Sequence, residues 1–392
     1  MKIAVIGAKG LPPGQGGIEH YCAEVYPRLV EAGHSVDFYA RSSYIELPWF
    51  DEYDFYGVRV ISLPSIELKG VDAFLNAAMA AVQASRKQYD MIHFHALGPS
   101  LFTWLPRLSR SAAKIVVFCQ GLDWQRAKWG KFSSKIILAG EQAAVRNADE
   151  IVVVSEALQQ YFWETYNRKT TYIPNGAANY AKSDPEFAFS RSLTLEPGKY
   201  MVYLGRLVPE KCPDLLIKAF QQLQPQGWKL ALVGGSSDTP DFQARLLELA
   251  DGNPNILFTG VLRGKYLAEV IRGSGLFVLP SQLEGLPLAM LEAMNEGIPI
   301  LGSDIPPHQQ LLDQERGLMF ATNDLEDCAS QLAWAVDHPN ELAACASRAQ
   351  AYVHQNCSWS KIVSDNLALY ERMFKTAAEP ALLEIQPAVD SR

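Results

Sequence analysis

The chain has 392 residues, of which 48% are hydrophobic and 20% charged, a composition typical of an ordinary globular protein. Its length is sufficient for about two domains. The net charge of −8 argues against a globally basic nucleic-acid-binding protein, so we expect no nucleic-acid partner. The six cysteines form no C-x-x-C pair, so we interpret them as small buried residues in a reducing compartment.

No apolar stretch approaches the ~20 residues that span a bilayer. The apolar run at the N-terminus is interrupted by Gly7, which makes it too short for the core of a signal peptide. We therefore expect a cytoplasmic protein that is soluble or peripheral to the inner membrane.

The first half of the chain alternates short apolar runs with longer amphipathic ones. The short runs predict strands at Lys2–Ile6, Ser35–Tyr39, Arg59–Ser62, Met91–Phe94, Lys114–Phe118 and Glu150–Val154. A Gly/Pro-rich loop from Ala8 to Gly17 precedes a helix predicted over Ile18–Ala32, and another helix is predicted over Ser133–Arg146. This alternation predicts a parallel sheet covered by helices on both faces.

A linker is predicted where the alternation pauses, at Ile173–Gly176 and the polar stretch Asn179–Pro185. The alternation then restarts. Strands are predicted at Tyr200–Leu204, Lys229–Val233, Ile256–Thr259, Gly275–Leu279 and Pro299–Gly302, and helices at Asp214–Gln224, Phe242–Ala250, Gly264–Arg272 and Pro287–Asn295. Because ligands of such sheets bind outside the carboxyl ends of the strands, we expect the site in a cleft between two α/β domains.

We place the first Rossmann-like domain at residues 1–178 and the second at 179–357. The amphipathic segment Ser358–Phe374 predicts a helix within 358–375 that packs back toward the first domain. Residues 376–392 show no apolar periodicity and are predicted to form a disordered tail.

Two glutamates, Glu284 and Glu292, stand eight residues apart where a predicted strand ends and a helix begins. A helix start offers unpaired N–H groups and a positive dipole end, which together suit a diphosphate. Gly285, Leu286 and Leu288 would supply the N–H groups of this anion site, and Pro287 would stand at the first helical position, where a missing N–H costs nothing. Taken alone, the two glutamates could equally be a capping residue and a solvated helix residue.

In this strand–loop–helix context, the pair resembles the Glu-x7-Glu signature of the retaining glycosyltransferase family 4, and the resemblance covers about residues 1–375. It implies the GT-B fold, in which two Rossmann-like doubly wound domains face each other across a cleft. It also implies that Glu284 contacts the donor sugar and that Glu292 holds the ribose hydroxyls. A charged acceptor suits a ribose diol because ionised hydrogen bonds are stronger than neutral ones.

Two further segments are similar to elements of this family. The run from Tyr203 to Lys211 resembles its G-R-x3-E-K element, which implies that Gly205, Arg206 and Lys211 bind the donor diphosphate. Fixed cations can stabilise a departing diphosphate without a metal. Gly16 and Gly17 resemble the glycine-rich loop that lines the cleft, where glycine permits close approach to phosphates. A dinucleotide fingerprint is disfavoured because the glycines of this loop do not follow G-x-G-x-x-G.

The first domain supplies three candidates that face the donor sugar or the acceptor. In His93-Phe-His95 we expect one imidazole to point inward and one outward, with His95 the better candidate for the cleft and a structural histidine the alternative. The family usually has a histidine where this chain has Gln120, which can hydrogen-bond a sugar hydroxyl but cannot carry positive charge. Asp123 is an acidic candidate for the acceptor side, or a capping residue.

By analogy with the family, the loop Gly260, Val261 and Leu262 brackets the nucleobase. Residues 107–146 carry eight Lys/Arg and two acidic residues with aromatic residues interleaved. This basic–aromatic patch could rest on anionic lipid at the cytoplasmic leaflet or could simply be solvated.

The family resemblance implies a retaining hexosyltransferase that moves a sugar from a UDP-sugar, by default UDP-glucose, to a hydroxyl of a glycan or lipid-linked acceptor in bacterial cell-surface polysaccharide biosynthesis. No D-x-D motif occurs, so we expect no metal and no cofactor. The alternatives are a nucleotide-sugar 2-epimerase of the same architecture and a non-catalytic nucleotide-sugar-binding protein.

Overall fold

The computed structural model describes residues 1–14, 16–65, 71–125, 130–235 and 240–375. The predicted tail over residues 376–392 lies outside these ranges. Within them the chain forms two sheets, each flanked by helices, and the carboxyl ends of both sheets carry the loops singled out above.

The first unit is built on an eight-stranded sheet with the order β3-β4-β2-β1-β5-β6-β7-β8. Its strands are β1 (Lys2–Ile6), β2 (Ser35–Arg41), β3 (Glu52–Phe55), β4 (Val58–Leu63), β5 (Met91–His95), β6 (Lys114–Cys119), β7 (Glu150–Val153) and β8 (Thr171–Tyr172). Its helices are α1 (Gly17–Glu31), α2 (Ser42–Ile45), α3 (Val71–Arg86), α4 (Trp104–Leu108), α5 (Lys131–Asn147) and α6 (Glu156–Tyr166). Central strands such as β1 and β6 are almost entirely buried, as expected of a parallel sheet covered on both faces.

The second unit is built on a six-stranded parallel sheet with the order β11-β10-β9-β12-β13-β14. Its strands are β9 (Tyr200–Leu204), β10 (Lys229–Val233), β11 (Ile256–Gly260), β12 (Leu276–Leu279), β13 (Ile300–Ser303) and β14 (Leu318–Phe320). Its helices are α7 (Ala188–Ser192), α8 (Pro213–Leu223), α9 (Pro240–Ala250), α10 (Gly264–Arg272), α11 (Leu288–Asn295), α12 (Pro306–Leu312), α13 (Leu325–Asp337) and α14 (Pro339–Asn356).

The predicted alternation of strands and helices is confirmed, with local differences in the first sheet and at the start of α11. The first sheet is not wholly parallel, because the edge strand β3 pairs antiparallel with β4. Residues 56 and 57 form the tight turn that joins them, and the sequence reading missed this hairpin. Pro287 is the N-cap of α11 rather than its first helical residue. All six cysteines are buried and unpaired, which agrees with their interpretation as small buried residues.

The last described helix, α15 (Trp359–Lys375), returns to the first unit. Its buried face, including Ile362 and Tyr370, joins the hydrophobic cluster formed by α1 and the first sheet. Asn366 donates to the Tyr21 hydroxyl at 3.0 Å within this interface. The chain therefore crosses from the second unit back to the first before the described residues end.

The two units touch where the glycine-rich loop of one meets the helix start of the other. A Cβ on Gly285 would overlap the carbonyl oxygen of Gln120, and a Cβ on Gly17 would lie 2.7 Å from Cδ1 of Leu288. At Gly285, only glycine allows the two backbones to approach this closely. These contacts bring the strand ends of both sheets to one interdomain cleft.

None of the described helices combines the length and apolar character needed to cross a membrane.

Candidate active site

The donor side of the cleft begins where three parallel strands of the second sheet end. The Gly205 amide, after β9, donates to Val233 O at the end of β10 at 3.0 Å. The Gly234 amide donates in turn to Gly260 O at the end of β11 at 2.9 Å. The predicted diphosphate segment and the predicted nucleobase loop therefore lie at the same edge of the sheet, on either side of the end of β10.

A short ion pair joins the two motifs of the second unit. Lys211 Nζ lies 2.6 Å from Glu284 Oε1, and Ser281 Oγ donates to the same oxygen at 2.8 Å. Burial alone would raise the pKa of Glu284, but the charge and hydrogen bond of Lys211 outweigh burial and lower this pKa. Glu284 is therefore a carboxylate at neutral pH, able to accept hydrogen bonds but not to donate a proton.

Arg206 is the second cation of this side. Its side chain is 37% exposed, and the Glu210 carboxylate lies 4.0 Å away, beyond hydrogen-bond distance. The Tyr203 hydroxyl donates to Arg206 O at 2.7 Å and so fixes the backbone of this loop. The guanidinium is therefore partly exposed and lies beyond hydrogen-bond distance of Glu210, so it can contact an anionic ligand.

The start of α11 completes the donor side. The amides of Met290 and Leu291 both donate to Pro287 O, so the first helical hydrogen bonds end on the N-cap residue. The N–H groups of Leu288 and Ala289 belong to the first turn, in which a helix has no internal partner for its N–H groups. Gly285 and Leu286 carry two more N–H groups just before the N-cap residue Pro287, which has none. Together with the helix dipole, they form a site for negative charge beside Lys211.

Glu292 lies one turn into α11 and is half-buried. Its Oε2 accepts a hydrogen bond from the Tyr180 hydroxyl at 2.8 Å. Burial raises the pKa of Glu292 to about 7, although the hydrogen bond from Tyr180 acts in the opposite direction. This carboxyl group therefore titrates near neutral pH.

The prediction that His95 faces the cleft is wrong. Side chains two residues apart on a strand lie on the same face, so alternation does not separate the two imidazoles. Both His93 and His95 are completely buried against α1 and hydrogen-bond to the Tyr26 hydroxyl, at 3.0 and 2.6 Å. Burial lowers the pKa of His95 to about 3, so its ring is neutral in the interior of the first unit.

The loop after β6 contributes its backbone to the cleft. Gln120 contacts Gly285 through its carbonyl group, as described above, while its side-chain Oε1 accepts from Asn175 Nδ2 at 2.7 Å. The buried Gln120 Nε2 group has no hydrogen-bond partner among the residues that the structure describes. Asp123 is partly exposed on a short 3-10 turn, Asp123–Gln125, next to this contact. The roles predicted for Gln120 and Asp123 toward sugar and acceptor remain predictions.

A buried carboxylate fixes the same turn. Trp124 Nε1 donates to Glu141 Oε2 at 3.0 Å, and the hydroxyls of Tyr161 and Tyr166 donate to Glu141 Oε1 at 2.7 and 2.5 Å. Part of the basic–aromatic patch, residues 126–129, follows this turn and lies outside the described residues.

Sequence reasoning missed three side chains of the site. Tyr180 and Ser281 hydrogen-bond to the two motif glutamates, and His308 lies behind Glu284. His308 is completely buried, donates through Nδ1 to Ser303 O at 3.0 Å, and has its pKa lowered by burial to about 4. Tyr180 is separated from Glu292 by 112 positions, so no local pattern connects the two residues.

Among the described residues, no group of three or more histidine, cysteine or carboxylate side chains is arranged to hold a metal ion.

Comparison with known proteins identifies the class to which this fold and cleft belong. Residues 186–352 match the family model described as glycosyl transferases group 1, and residues 15–178 match the model described as Glycosyltransferase Family 4. The protein is a glycosyltransferase of the GT-B type.

The similarity to individual proteins extends over nearly the whole chain. The chain is 26% identical to D-inositol 3-phosphate glycosyltransferase of Rhodococcus erythropolis, over 95% of this chain and 91% of that protein. Sucrose-phosphate synthase of Thermosynechococcus elongatus superposes with a TM-score of 0.81 at 22% identity, covering 96% of this chain and 99% of the other. Anabaena HepE in complex with UDP-glucose superposes with a TM-score of 0.75 at 18% identity, covering 96% and 99%. These solved structures share the fold of this chain.

Proposed function

We propose that this glycosyltransferase transfers a sugar from a UDP-sugar, with UDP-glucose as the default donor, to a hydroxyl of a glycan or lipid-linked acceptor, with retention of anomeric configuration. The observation that carries the proposal is the Lys211–Glu284 ion pair of 2.6 Å at the start of α11. In the proposed complex, Lys211 would be a cation next to a helix start that attracts a diphosphate, and Glu284 would face the sugar attached to that diphosphate.

The proposed chemistry follows from the charges of the described residues. Departure of UDP builds negative charge on the diphosphate, which Arg206, Lys211 and the amides at the start of α11 would stabilise. These groups supply positive charge without a metal ion. The ionised Glu284 would accept hydrogen bonds from sugar hydroxyls and favour the positive charge that develops on the sugar.

The mechanism of retention is the front-face scheme expected of the resembled family. The acceptor hydroxyl attacks from the face that the diphosphate leaves, and a donor phosphate oxygen takes its proton. Glu284 is paired with Lys211 and is not proposed as a nucleophile, so no glycosyl–enzyme intermediate is required.

A UDP-sugar donor is compatible with what two solved neighbours were crystallised with. Anabaena HepE was crystallised with UDP-glucose, and a trehalose-6-phosphate protein of E. coli with UDP-2-fluoro glucose. Both support a UDP-sugar as the first donor to test. The acceptor and the place in surface polysaccharide biosynthesis rest on the family resemblance.

We also propose that the first unit makes peripheral contact with the cytoplasmic leaflet. In the described part of the basic–aromatic patch, Leu108 and Phe132 are more than 70% exposed, and Arg107 and Lys131 lie next to them in the sequence. Exposed apolar side chains beside cations suit an anionic lipid surface. Flotation with vesicles containing anionic lipid tests this contact, and absence of binding at low salt would contradict it.

The central experiment is a thermal-shift screen of nucleotide sugars, followed by NMR analysis of the products formed with hydroxyl acceptors. We expect UDP-glucose to stabilise the protein and an α-linked product to form from this α-configured donor. Conversion of the donor to its 2-epimer without any acceptor would instead identify an epimerase. Donor binding without turnover on any acceptor or on water would identify a non-catalytic binding protein.

A further inference from the structure

A tyrosine of the linker lies at the carboxyl group that the proposed function assigns to the ribose. Tyr180 belongs neither to a helix nor to a strand, and it lies between β8 and α7. Its hydroxyl donates to Glu292 Oε2 at 2.8 Å. Burial and the neighbouring Glu292 raise the pKa of this phenol well above its usual value, so it remains a donor at all relevant pH values.

The backbone around Tyr180 is fixed by a single arginine. Arg272, at the end of α10, donates through Nη1 to Ala181 O at 2.7 Å and to Ser183 Oγ at 2.9 Å. Its Nη2 contacts Tyr180 O at 3.4 Å. The same guanidinium pairs with Glu296 at 2.6 Å, immediately after the end of α11. The linker is therefore attached to the helix that carries Glu292.

This arrangement restricts the rotation of the Glu292 carboxyl group. A carboxylate has about four lone-pair positions on its two oxygens, and the Tyr180 hydroxyl occupies one of them on Oε2. A ribose diol needs two acceptor positions. Because Tyr180 is held by the linker backbone, its hydrogen bond selects one orientation of the carboxylate before any ligand arrives, which reduces the cost of ordering it on binding.

We infer that Tyr180 is a positioning residue for the donor: it orients Glu292 toward the ribose and so makes donor affinity depend on the conformation of the interdomain linker. The inference rests on the proposed ribose contact of Glu292. The inference adds that Tyr180, which lies outside both motifs, orients the Glu292 carboxylate before the ribose binds. The charged groups around this hydrogen bond are Glu292 itself, Glu296 and Arg272.

The test compares Tyr180→Phe with wild type and with Tyr172→Phe as a matched control. The Tyr172 hydroxyl also lies at the interdomain boundary, where it accepts from Gln310 at 2.9 Å, but no hydrogen bond joins it to Glu292. For Tyr180→Phe we expect UDP-glucose to bind roughly tenfold more weakly by calorimetry, the loss typical of one hydrogen bond to a charged group. We expect kcat at saturating donor to stay near wild type, and Tyr172→Phe to bind like wild type.

A pH profile separates positioning from a general structural effect. Because the Tyr180 hydrogen bond lowers the pKa of Glu292, the pH at which UDP-glucose affinity is half-maximal should move upward in Tyr180→Phe. An equal loss of affinity at every pH, or unchanged affinity, would overturn the inference. Tighter binding would also overturn it, since Tyr180 would then compete with the ribose.

Failure of this inference is distinguishable from failure of the proposed function. If Glu292→Gln weakens UDP-glucose binding but Tyr180→Phe does not, the ribose contact stands and the positioning role is refuted. If Glu292→Gln binds like wild type, the ribose contact itself is refuted. Ser183→Ala, which removes one hydrogen bond of Arg272 and leaves Tyr180 intact, should weaken binding less than Tyr180→Phe and supplies a second variant if Tyr180→Phe is unstable.

Discussion

Donor binding should depend on pH through Glu292. Burial raises the pKa of this carboxyl group to about 7, and the ionised form is the better acceptor for two ribose hydroxyls. With that pKa, roughly 90% of the protein is in the binding form at pH 8 and roughly 10% at pH 6. The affinity for UDP-glucose should therefore fall about tenfold between pH 8 and pH 6, which corresponds to ~1.4 kcal/mol.

The assay is calorimetry with UDP-glucose, because its diphosphate is a diester and does not titrate over this range, whereas the terminal phosphate of UDP does. Glu292→Gln should bind more weakly at pH 8, by ~1–3 kcal/mol for a lost charged contact, and should show little pH dependence. Glu248→Gln, an exposed glutamate on α9, is the matched control and should behave like wild type. A wild-type affinity that is constant from pH 6 to 8, or a Glu292→Gln variant with the wild-type profile, would refute the reasoning.

Three further predictions test other parts of the site and fold. Lys211→Ala should lower kcat by ~10²-fold, because it removes a cation from the departing diphosphate, while Lys218→Ala on the exposed face of α8 should not; near-native turnover of Lys211→Ala contradicts the diphosphate role. Gly285→Ala should reduce kcat/KM by at least roughly tenfold, since the added Cβ would overlap the Gln120 carbonyl of the first unit. Gly14→Ala, whose added Cβ has no atom of the described residues within 4 Å, should be neutral in the same steady-state assay. Stability should fall in acid, because the three completely buried histidines have lowered pKa values in the folded state and the unfolded chain therefore binds more protons below pH 6.5. In urea unfolding, each histidine should lower the free energy of unfolding by about 1.4 kcal/mol per pH unit between pH 6 and 5. Glu292 partly offsets this loss because it binds its proton more tightly in the folded state. A free energy of unfolding that rises or stays constant as the pH is lowered from 6 to 5 contradicts the last prediction.

The order of strands and helices could be predicted because each element carries its own signal. A fully buried parallel strand such as β1 is a continuous apolar run, and the helices after it are bounded by glycine and proline. The hairpin strand β3 lacks that signal because it is an edge strand with alternating exposure, and its residues Glu52 and Asp54 are polar. Its pairing with β4 depends on tertiary context rather than on its own composition.

The site was predictable only where its chemistry is local. Glu284, Lys211 and the start of α11 follow from motifs that span a few residues each. Their mutual pairing does not, since Lys211 and Glu284 are 73 positions apart. The misplacement of His95 had a different cause: both imidazoles occupy the same face of β5, and the space beyond that face is filled by α1 and α15, which no strand pattern reveals.

The ion pair changes what the separate motifs imply about charge. Assigned one by one, Lys211 and Arg206 would both offer an uncompensated positive charge to the diphosphate, and Glu284 would repel it. In the structure the charge of Lys211 is largely balanced by Glu284 at 2.6 Å, whereas the carboxylate nearest to Arg206 among the described residues, that of Glu210, is 4.0 Å away. In the proposed function, an incoming diphosphate would therefore be attracted first by Arg206 and the start of α11, and Lys211 would contact it while remaining paired with Glu284. Since the sugar would extend toward Glu284, one lysine would link the departing phosphate to the carboxylate that faces the sugar, and removing it should impair the chemical step more than donor binding.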